Sequence, residues 1–427
     1  MNDFLKELTW RGMIHSQSAG CAKWLEQESR TGYLGIDPTG PSLHIGHLVT
    51  IMMMNNLQRC GHKPLFVLGG STGMIGDPSG KSEERNLLSK EDIIQNYELL
   101  KKQLSKLVDF DKGSYSAELL NNNDWTKEYL YLDFLRDIGK HLTLNYMMAK
   151  DSVQSRIEKG ISYTEFSYQL LQAYDFFWLH KNMNCGLQMG GSDQWGNITS
   201  GIELIRRKEG NDAFGITCPL LTREDGSKFG KTEKGDNIWL SAEKTSPYKF
   251  YQFWYNTSDE TAEKCMKIFS YKNEPEINDL IFNHKKDSSQ RILQSALGKE
   301  LTCRIHSEND FKMVKEATGV LFGSSPVNAL ENIDSKTIGE IFDGVGRYTL
   351  SKDKIENPVK VVELISDFTG IFPSRGEAKR MIKSGGLMIN KEKISNESEA
   401  VNTTQLISGK YLLVQKGKKN YYLVEFV

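Results

Sequence analysis

The sequence has no apolar run approaching the roughly 20 residues that a membrane-spanning helix needs. Its six cysteines, at positions 21, 60, 185, 218, 265 and 303, are scattered, and no Cys-x-x-Cys occurs. That argues against a disulfide framework or a zinc finger and fits a reducing compartment. An excess of charge is missing too: 54 Lys and Arg stand against 55 Asp and Glu, for a net charge of −1. The balance argues against wholesale polyanion binding but leaves room for a local basic module. The opening residues, Met-Asn-Asp-Phe-Leu-Lys-Glu-Leu, have neither an apolar signal core nor an Arg-rich, acid-poor transit character. These absences set the expectation of a soluble, cytoplasmic protein with no membrane partner and no protein-bound structural metal. At 427 residues, two to four domains are expected.

What is present begins with three short apolar runs that end in glycine: Tyr33-Leu34-Gly35-Ile36, Pro64-Leu65-Phe66-Val67-Leu68-Gly69 and Gly186-Leu187-Gln188-Met189-Gly190-Gly191. Each suits a buried parallel strand. In an open parallel sheet, ligands bind beyond the carboxyl ends of the strands. The first run leads through Asp37-Pro38-Thr39-Gly40 into His44-Ile45-Gly46-His47, which opens a helix expected to reach about Cys60. A helix N-terminus favours an anion, and a glycine there lets a flat base approach the backbone. Taken alone, two histidines at i, i+3 are compatible with a buried, solvated or metal-ligating pair. Metal is the weakest of these, because no acidic or thiol ligand lies at short spacing.

The fold class read from the pattern is α/β. Residues 1–221 form a Rossmann-like parallel-sheet domain with a helical insertion at about 110–184, including an aromatic helix over 129–149. A Lys-, Gly- and Thr-rich loop spans 222–240. A helical segment follows over 241–322, in which Ser246-Pro247 caps and starts a helix. A polar linker is expected over 323–358 and a small α+β module over 359–427. Gly76-Asp77-Pro78-Ser79-Gly80-Lys81-Ser82 is one position short of a P-loop, since Ile75 stands where the first glycine belongs. A P-loop kinase or ATPase is thereby excluded.

The second chemical element is Lys228-Phe229-Gly230-Lys231-Thr232, two lysines about a glycine in a polar loop. Alone it reads as solvated surface; paired with the histidine element it resembles the second signature of a class I aminoacyl-tRNA synthetase, HIGH and KMSKS. HIGH is intact. In the second, Phe229, Gly230 and Thr232 replace Met, Ser and Ser, while both lysines stay. Gly190-Gly191-Ser192-Asp193-Gln194-Trp195-Gly196-Asn197, Tyr168-Gln169-Leu170-Leu171-Gln172-Ala173-Tyr174-Asp175 and Tyr33-x-Gly35-x-Asp37-Pro38-Thr39 resemble the bacterial tyrosyl-tRNA synthetase family over essentially the whole chain.

The resemblance implies an enzyme that uses L-tyrosine, ATP with Mg²⁺, and tRNA(Tyr), and that forms a homodimer. It implies that Asp175 and Tyr33 take the substrate phenol, a reading that chemistry supports: a carboxylate accepts the hydroxyl proton and a second phenol donates in return. Such a site rejects the analogue lacking the hydroxyl. This family is itself the reference case, at about 100,000-fold over phenylalanine, a magnitude established for the family and not obtained from this sequence. Asp77, Tyr168 and Gln172 are implied for the ammonium. Alone each is an ordinary surface Asp or core side chain, and only the set points to a site. Thr39, His44, Lys81, Arg85, Lys228, Lys231 and Thr232 are implied for the phosphates, the first pair of lysine and arginine swinging in on a mobile loop. Gly35, Asp37, Gly46, His47, Gly191, Asp193 and Gln194 are implied for nucleotide and carboxyl.

Near the end, residues 374–393 carry six Lys/Arg against two Glu, a window charge of +4. Arg375, Lys379, Arg380 and Lys383 fall at helical spacing before the Gly385-Gly386 turn, with a strand at Leu387–Asn390. Most charge runs are solvated faces; this one sits in a module resembling the small RNA-binding domain of ribosomal-protein S-four type, with Lys410, Lys416, Lys418 and Lys419 beyond it. Two rival readings remain. One is a tryptophanyl-type synthetase or another HIGH-bearing nucleotidyltransferase. An indole cannot accept a hydrogen bond as a phenol can, and the basic tail argues against a small-cofactor enzyme. The other is a non-catalytic RNA-binding protein of the same fold.

Overall fold

The computed structural model describes residues 3–79, 88–157, 160–222, 229–230, 236–322, 338–339, 342, 345–417 and 420–427. The chain divides into two compact units, one of Met1–Thr245 with Phe253–Ile305 and one of Ser246–Gln252 with His306–Val427. Among the described residues no helix is long and apolar enough to cross a membrane.

The first unit is built on a six-stranded sheet of β1 (Ser16–Gln17), β2 (Thr31–Ile36), β3 (Lys63–Leu68), β4 (Glu118–Asn121), β5 (Cys185–Gly191) and β6 (Phe214–Cys218), in the order β1-β6-β5-β2-β3-β4. All pairings are parallel except β1 with β6. From β2 the chain steps outward through β3 to β4, then returns to β5 on the other side of β2. The order therefore reverses between β2 and β5, where the connections diverge and leave a crevice at the strands' carboxyl ends. Tyr33 faces Gln188 and Leu34 faces Met189 across that seam.

Two helices carry side chains to the crevice. Ile45–Arg59 is buried along most of its length, as a helix apolar on nearly all sides must be. Tyr163–Met183 is capped by Ser162, whose hydroxyl accepts from Glu165 N at 3.1 Å, and it ends at Asn184 in the left-handed region. Its residues 168, 172 and 175 fall at i, i+4, i+7, one face of a helix. Near its start, Glu165 takes a bidentate pair from Arg156 at 3.1 and 2.8 Å, both side chains almost fully buried. A core of Tyr33, Leu65, Val67, Phe176, Leu179 and Leu204, among others, packs helix to sheet.

Two expectations change. The helix expected over 129–149 is broken into Tyr131–Asp137, a 3-10 turn at Gly139–His141, and Leu144–Met148. Thr143 starts the last piece by accepting from Tyr146 N, so a cap competes with a continuous helix. Residues 346–350, expected in the linker, form a strand of the second unit. That unit's five-stranded sheet runs β10 (Glu392–Lys393), β9 (Leu387–Ile389), β12 (Tyr411–Lys416), β13 (Asn420–Phe426) and β7 (Gly346–Leu350), beside a two-stranded sheet of β8 (Val359–Lys360) and β11 (Ala400–Val401). Strand β7 is polar and half solvated, as an edge strand often is, so its pattern resembles a linker. The helix Arg375–Lys383 packs Ala378 and Ile382 into this module's own core with Phe372, Leu412 and Phe426. Ser246 caps the helix Pro247–Tyr255, its Oγ accepting from Lys249 N at 3.2 Å.

Candidate active site

One cavity of about 310 Å³ opens at the carboxyl ends of β2 and β5, within the range usual for small-ligand sites. Fourteen of the residues singled out above line it: Tyr33, Gly35, Asp37, Thr39, His44, Gly46, His47, Asp77, Tyr168, Gln172, Asp175, Gly191, Asp193 and Gln194. They come from positions up to 161 residues apart (194 minus 33) and share one wall only through the fold. Lys81, Arg85, Lys228, Lys231 and Thr232 lie outside the described residues.

At one part of the wall, Asp175 is 5 % exposed. Its Oδ2 accepts from Asn122 Nδ2 at 3.0 Å and its Oδ1 from Trp125 Nε1 at 2.8 Å. Burial pushes its carboxyl up to about 7; the two donors pull it down, and Asp37 nearby raises it further. Tyr33, buried in β2, feels that carboxylate. Burial first, then Asp175 and Cys185, hold its phenol well above the ordinary range, so it stays protonated. The Tyr33 hydroxyl and Gln188 Oε1 are both buried without a hydrogen-bond partner among the described residues. Such groups cost free energy until they are paired.

A second cluster forms around two more carboxylates. Asp37 accepts from Thr72 Oγ1 at 2.7 Å and from the Tyr168 hydroxyl at 2.8 Å. Burial, then the charges of Asp37 and Asp77, keep the Tyr168 phenol protonated. Asp77 accepts from Gln194 Nε2 at 2.6 Å, from Ser79 N at 3.0 Å and from Asn197 Nδ2 at 3.3 Å. Gln172 Nε2 donates to Gln194 Oε1 at 3.3 Å.

The histidine element forms the third part. His44 is the N-cap: its Nδ1 accepts from Gly46 N at 3.1 Å, while His44 N donates to His47 Nδ1 at 3.2 Å. The two rings stack with centroids 3.9 Å apart. A Cβ on Gly46 would lie 2.9 Å from His44 Cε1, so only glycine lets that ring fold back over the helix start. The chain after the basic loop locks onto this element, with Ile45 N donating to Ile238 O at 3.2 Å and Trp239 bridging His44. Of the basic loop itself, Phe229 packs on Phe253 and Trp254, and Gly230 adopts φ 90° where a Cβ would lie 3.2 Å from Ile45 Cβ. These contacts give two of the three departures from the KMSKS pattern, Phe229 and Gly230, a physical reason: an aromatic anchor, and a backbone angle that favours glycine.

Asn122, Trp125 and Thr72 take part in the site but were not singled out from sequence, and Gln188 and Asn197 were quoted only within longer runs, with no role of their own. The only local signal is the polar run Asn121-Asn122-Asn123 just past β4, a strand end at which ligands are expected. In the second unit Arg375, Lys379 and Lys383 line a shallow groove with Lys360 and Glu397. Arg380 is exposed on the same helix but is not among the groove's lining residues.

Comparison with known proteins bears on this architecture. Residues 26–323 match the family described as class I tRNA synthetases (W and Y), and residues 337–424 match the SYY-like C-terminal domain of tyrosine–tRNA ligase. The tyrosine–tRNA ligase of Bacteroides fragilis is 51 % identical over 427 residues, covering 99 % of both chains. That of Cytophaga hutchinsonii is 52 % identical over 428 residues, covering 100 % of both. Among solved structures, a C-terminally truncated Aspergillus nidulans mitochondrial tyrosyl-tRNA synthetase superposes with a TM-score of 0.68 at 30 % identity, covering 75 % of this chain and 95 % of that one. With the match running from end to end and the second domain that of the tyrosine enzymes, this chain belongs to the tyrosine–tRNA ligase family, class I aminoacyl-tRNA synthetases that activate tyrosine with ATP and pass it to tRNA.

Proposed function

We propose that the cavity between β2 and β5 performs both steps of that reaction, with the following residues in the working roles. The observation that carries the reading is the buried pair at its wall, the unpartnered Tyr33 phenol close to the Asp175 carboxylate. A substrate phenol satisfies both, donating to Asp175 and accepting from Tyr33. Asp77, Tyr168 and Gln172 take the α-ammonium, with Gln194 bracing Asp77.

A tyrosine carboxylate oxygen then attacks the α-phosphorus of ATP, the bond to the β-phosphate bridging oxygen breaks, and pyrophosphate leaves. No enzyme nucleophile is needed. The protein aligns the reactants and stabilises charge growing on the leaving group. Thr39, in the loop after β2, and His44, at the N-terminus of the buried helix, face the phosphates. Lys81, Arg85, Lys228, Lys231 and Thr232 act on the β- and γ-oxygens. Gly35 offers open backbone, since a Cβ there would meet nothing within 4 Å. Asp37, Gly46, His47, Gly191 and Asp193 hold ribose, base or carboxyl. Both oxygens of Asp37, Asp77 and Asp175 accept protein hydrogen bonds. This fits Mg²⁺ arriving on the ATP phosphates as part of the substrate. In the second step a hydroxyl of the terminal ribose of tRNA attacks the tyrosyl carbonyl, and AMP departs.

The helical segment 241–322 is proposed to read the anticodon, and the module 359–427 to hold RNA through Arg375, Lys379, Arg380 and Lys383. Phosphate contacts of this kind position RNA without reading its sequence. A homodimer is proposed through the segment 129–149 and its neighbourhood, where Leu130, Tyr131, Leu132, Leu144, Met148 and Tyr163 are exposed large apolar side chains, Leu132 at 74 %. Large apolar side chains left in solvent are candidates for an interaction surface. The protein is placed in the cytoplasm. Tyrosine-dependent exchange of label between pyrophosphate and ATP tests the activity. Its absence from purified protein overturns the reading, and light scattering of Leu132→Glu against the parent tests the dimer.

A further inference from the structure

Asn197 lies in the first turn of the helix Trp195–Glu209, 1 % exposed, behind the cavity wall. Its Nδ2 stands 2.9 Å from Gln172 Oε1, 3.2 Å from Ser79 Oγ, 3.3 Å from Asp77 Oδ1 and 3.3 Å from Gln194 Oε1. Three of these four neighbours are oxygens that only accept, so the amide must turn its NH₂ toward them. The remaining bonds follow the same sense. Gln172 Nε2 donates to Gln194 Oε1, and Gln194 Nε2 donates to Asp77 Oδ2. Donation thus runs from Asn197 through Gln172 and Gln194 and ends on the carboxylate.

We infer that Asn197 is a positioning residue for the substrate's α-ammonium: it fixes the Gln172 amide with its oxygen forward and holds Asp77 in place. This rests on the reading that Asp77 and Gln172 receive that ammonium. An amide oxygen has two lone pairs and a carboxylate about four, so Gln172 Oε1 and the Asp77 carboxylate, both held by Asn197, keep capacity for a cation. Without Asn197 the Gln172 amide is free to turn and present its own NH₂, a donor, to a group that only donates. The effect is therefore specific to ligands that carry the ammonium.

The test measures three ligands on the full chain: L-tyrosine, tyramine, which keeps the ammonium, and 3-(4-hydroxyphenyl)propionate, which lacks it. Asn197→Ala is expected to weaken the first two roughly 10-fold, the scale of a lost hydrogen bond to a charged group, and the third by less than about twofold. In adenylation KM for tyrosine rises while kcat holds. Equal weakening of all three ligands, or no weakening of any, overturns the inference. Asn197→Ser, a milder change, repeats the contrast should the alanine variant be unstable. Asp77→Asn is measured in parallel. If it fails to separate the ligands, the ammonium pocket itself is misplaced. If it separates them and Asn197→Ala does not, only the role of Asn197 falls.

Discussion

The cavity of the first unit and the basic groove of the second meet their charges in opposite ways. In the cavity the carboxylates of Asp37, Asp77 and Asp175 are each held by neutral donors, namely hydroxyls, amides and an indole. Among the described residues those partners include no basic side chain. In the groove, Lys379 and Lys383 both reach Glu397, at 3.0 and 3.2 Å, and Arg375 binds Asp367. Neutral donors hold a buried carboxylate in place without cancelling its charge, which leaves that charge available to a ligand proton or ammonium. Solvated lysines facing one glutamate trade partners at little cost. A site for a small polar molecule is thus set by burial. A site for a polyanion needs only a mobile excess of charge on the surface.

The largest expected effect strikes the buried side of this contrast. Glu165→Ala removes the carboxylate that takes a bidentate pair from the buried Arg156 guanidinium and should cost about 3–5 kcal/mol of unfolding free energy, read by urea denaturation. A loss below about 1 kcal/mol, the surface value, would erase the distinction drawn here.

Asp175 sharpens it next. Its folded carboxyl titrates near 7, against an ordinary value of 3.8, so between those values the native state binds more protons than the unfolded chain. Stability from this group is present in full below about pH 4, falls as pH rises to about 7 and is flat above. Asp175→Asn removes the slope and should gain about 2–4 kcal/mol over the parent at pH 8 relative to pH 4, while losing tyrosine affinity. Parallel stability curves for the two proteins would show the carboxyl to be unperturbed.

His44→Ala is expected to slow tyrosyl-adenylate formation by about 10–1,000-fold, the scale for one transition-state donor, with the tyrosine dissociation constant nearly unchanged. Single-turnover kinetics and equilibrium binding read the two quantities separately. An effect on tyrosine binding alone would contradict the phosphate role.

The smallest effect belongs to the groove. Glu397→Gln frees two lysines, and tRNA binding should tighten by about two- to threefold with a steeper dependence on salt. The melting temperature should not move. An unchanged salt slope would remove Lys379 and Lys383 from the RNA contact.

How far the sequence foretold all this varied with the range of the physics. Local rules held where a residue's role depends on its neighbours in the chain. Ser246 before Pro247, the His44 element at a helix start and the 375–383 helix before two glycines are short-range matters of capping and spacing. The 129–149 helix failed because a cap at Thr143 outweighed an apolar pattern. Strand β7 was missed because an edge strand is exposed and polar. Asn122, Trp125 and Asn197 stayed hidden for a third reason. Each donates to a residue at least 50 positions away, to Asp175 in the first two cases and to Asp77 in the last, and no local pattern marks such a pairing.

By itself the sequence determined the parallel α/β scaffold, the two nucleotide signatures and the identities of the polar groups that chemistry with tyrosine and ATP requires, because strand pattern, capping and functional-group chemistry are properties of short stretches. Tertiary structure alone decided that fourteen of those groups share one cavity, and that burial lifts Asp175 toward 7 while neutral donors keep its charge unspent. Desolvation and long-range hydrogen bonding depend on what the folded chain brings alongside a residue, and that is not written next to it in the sequence.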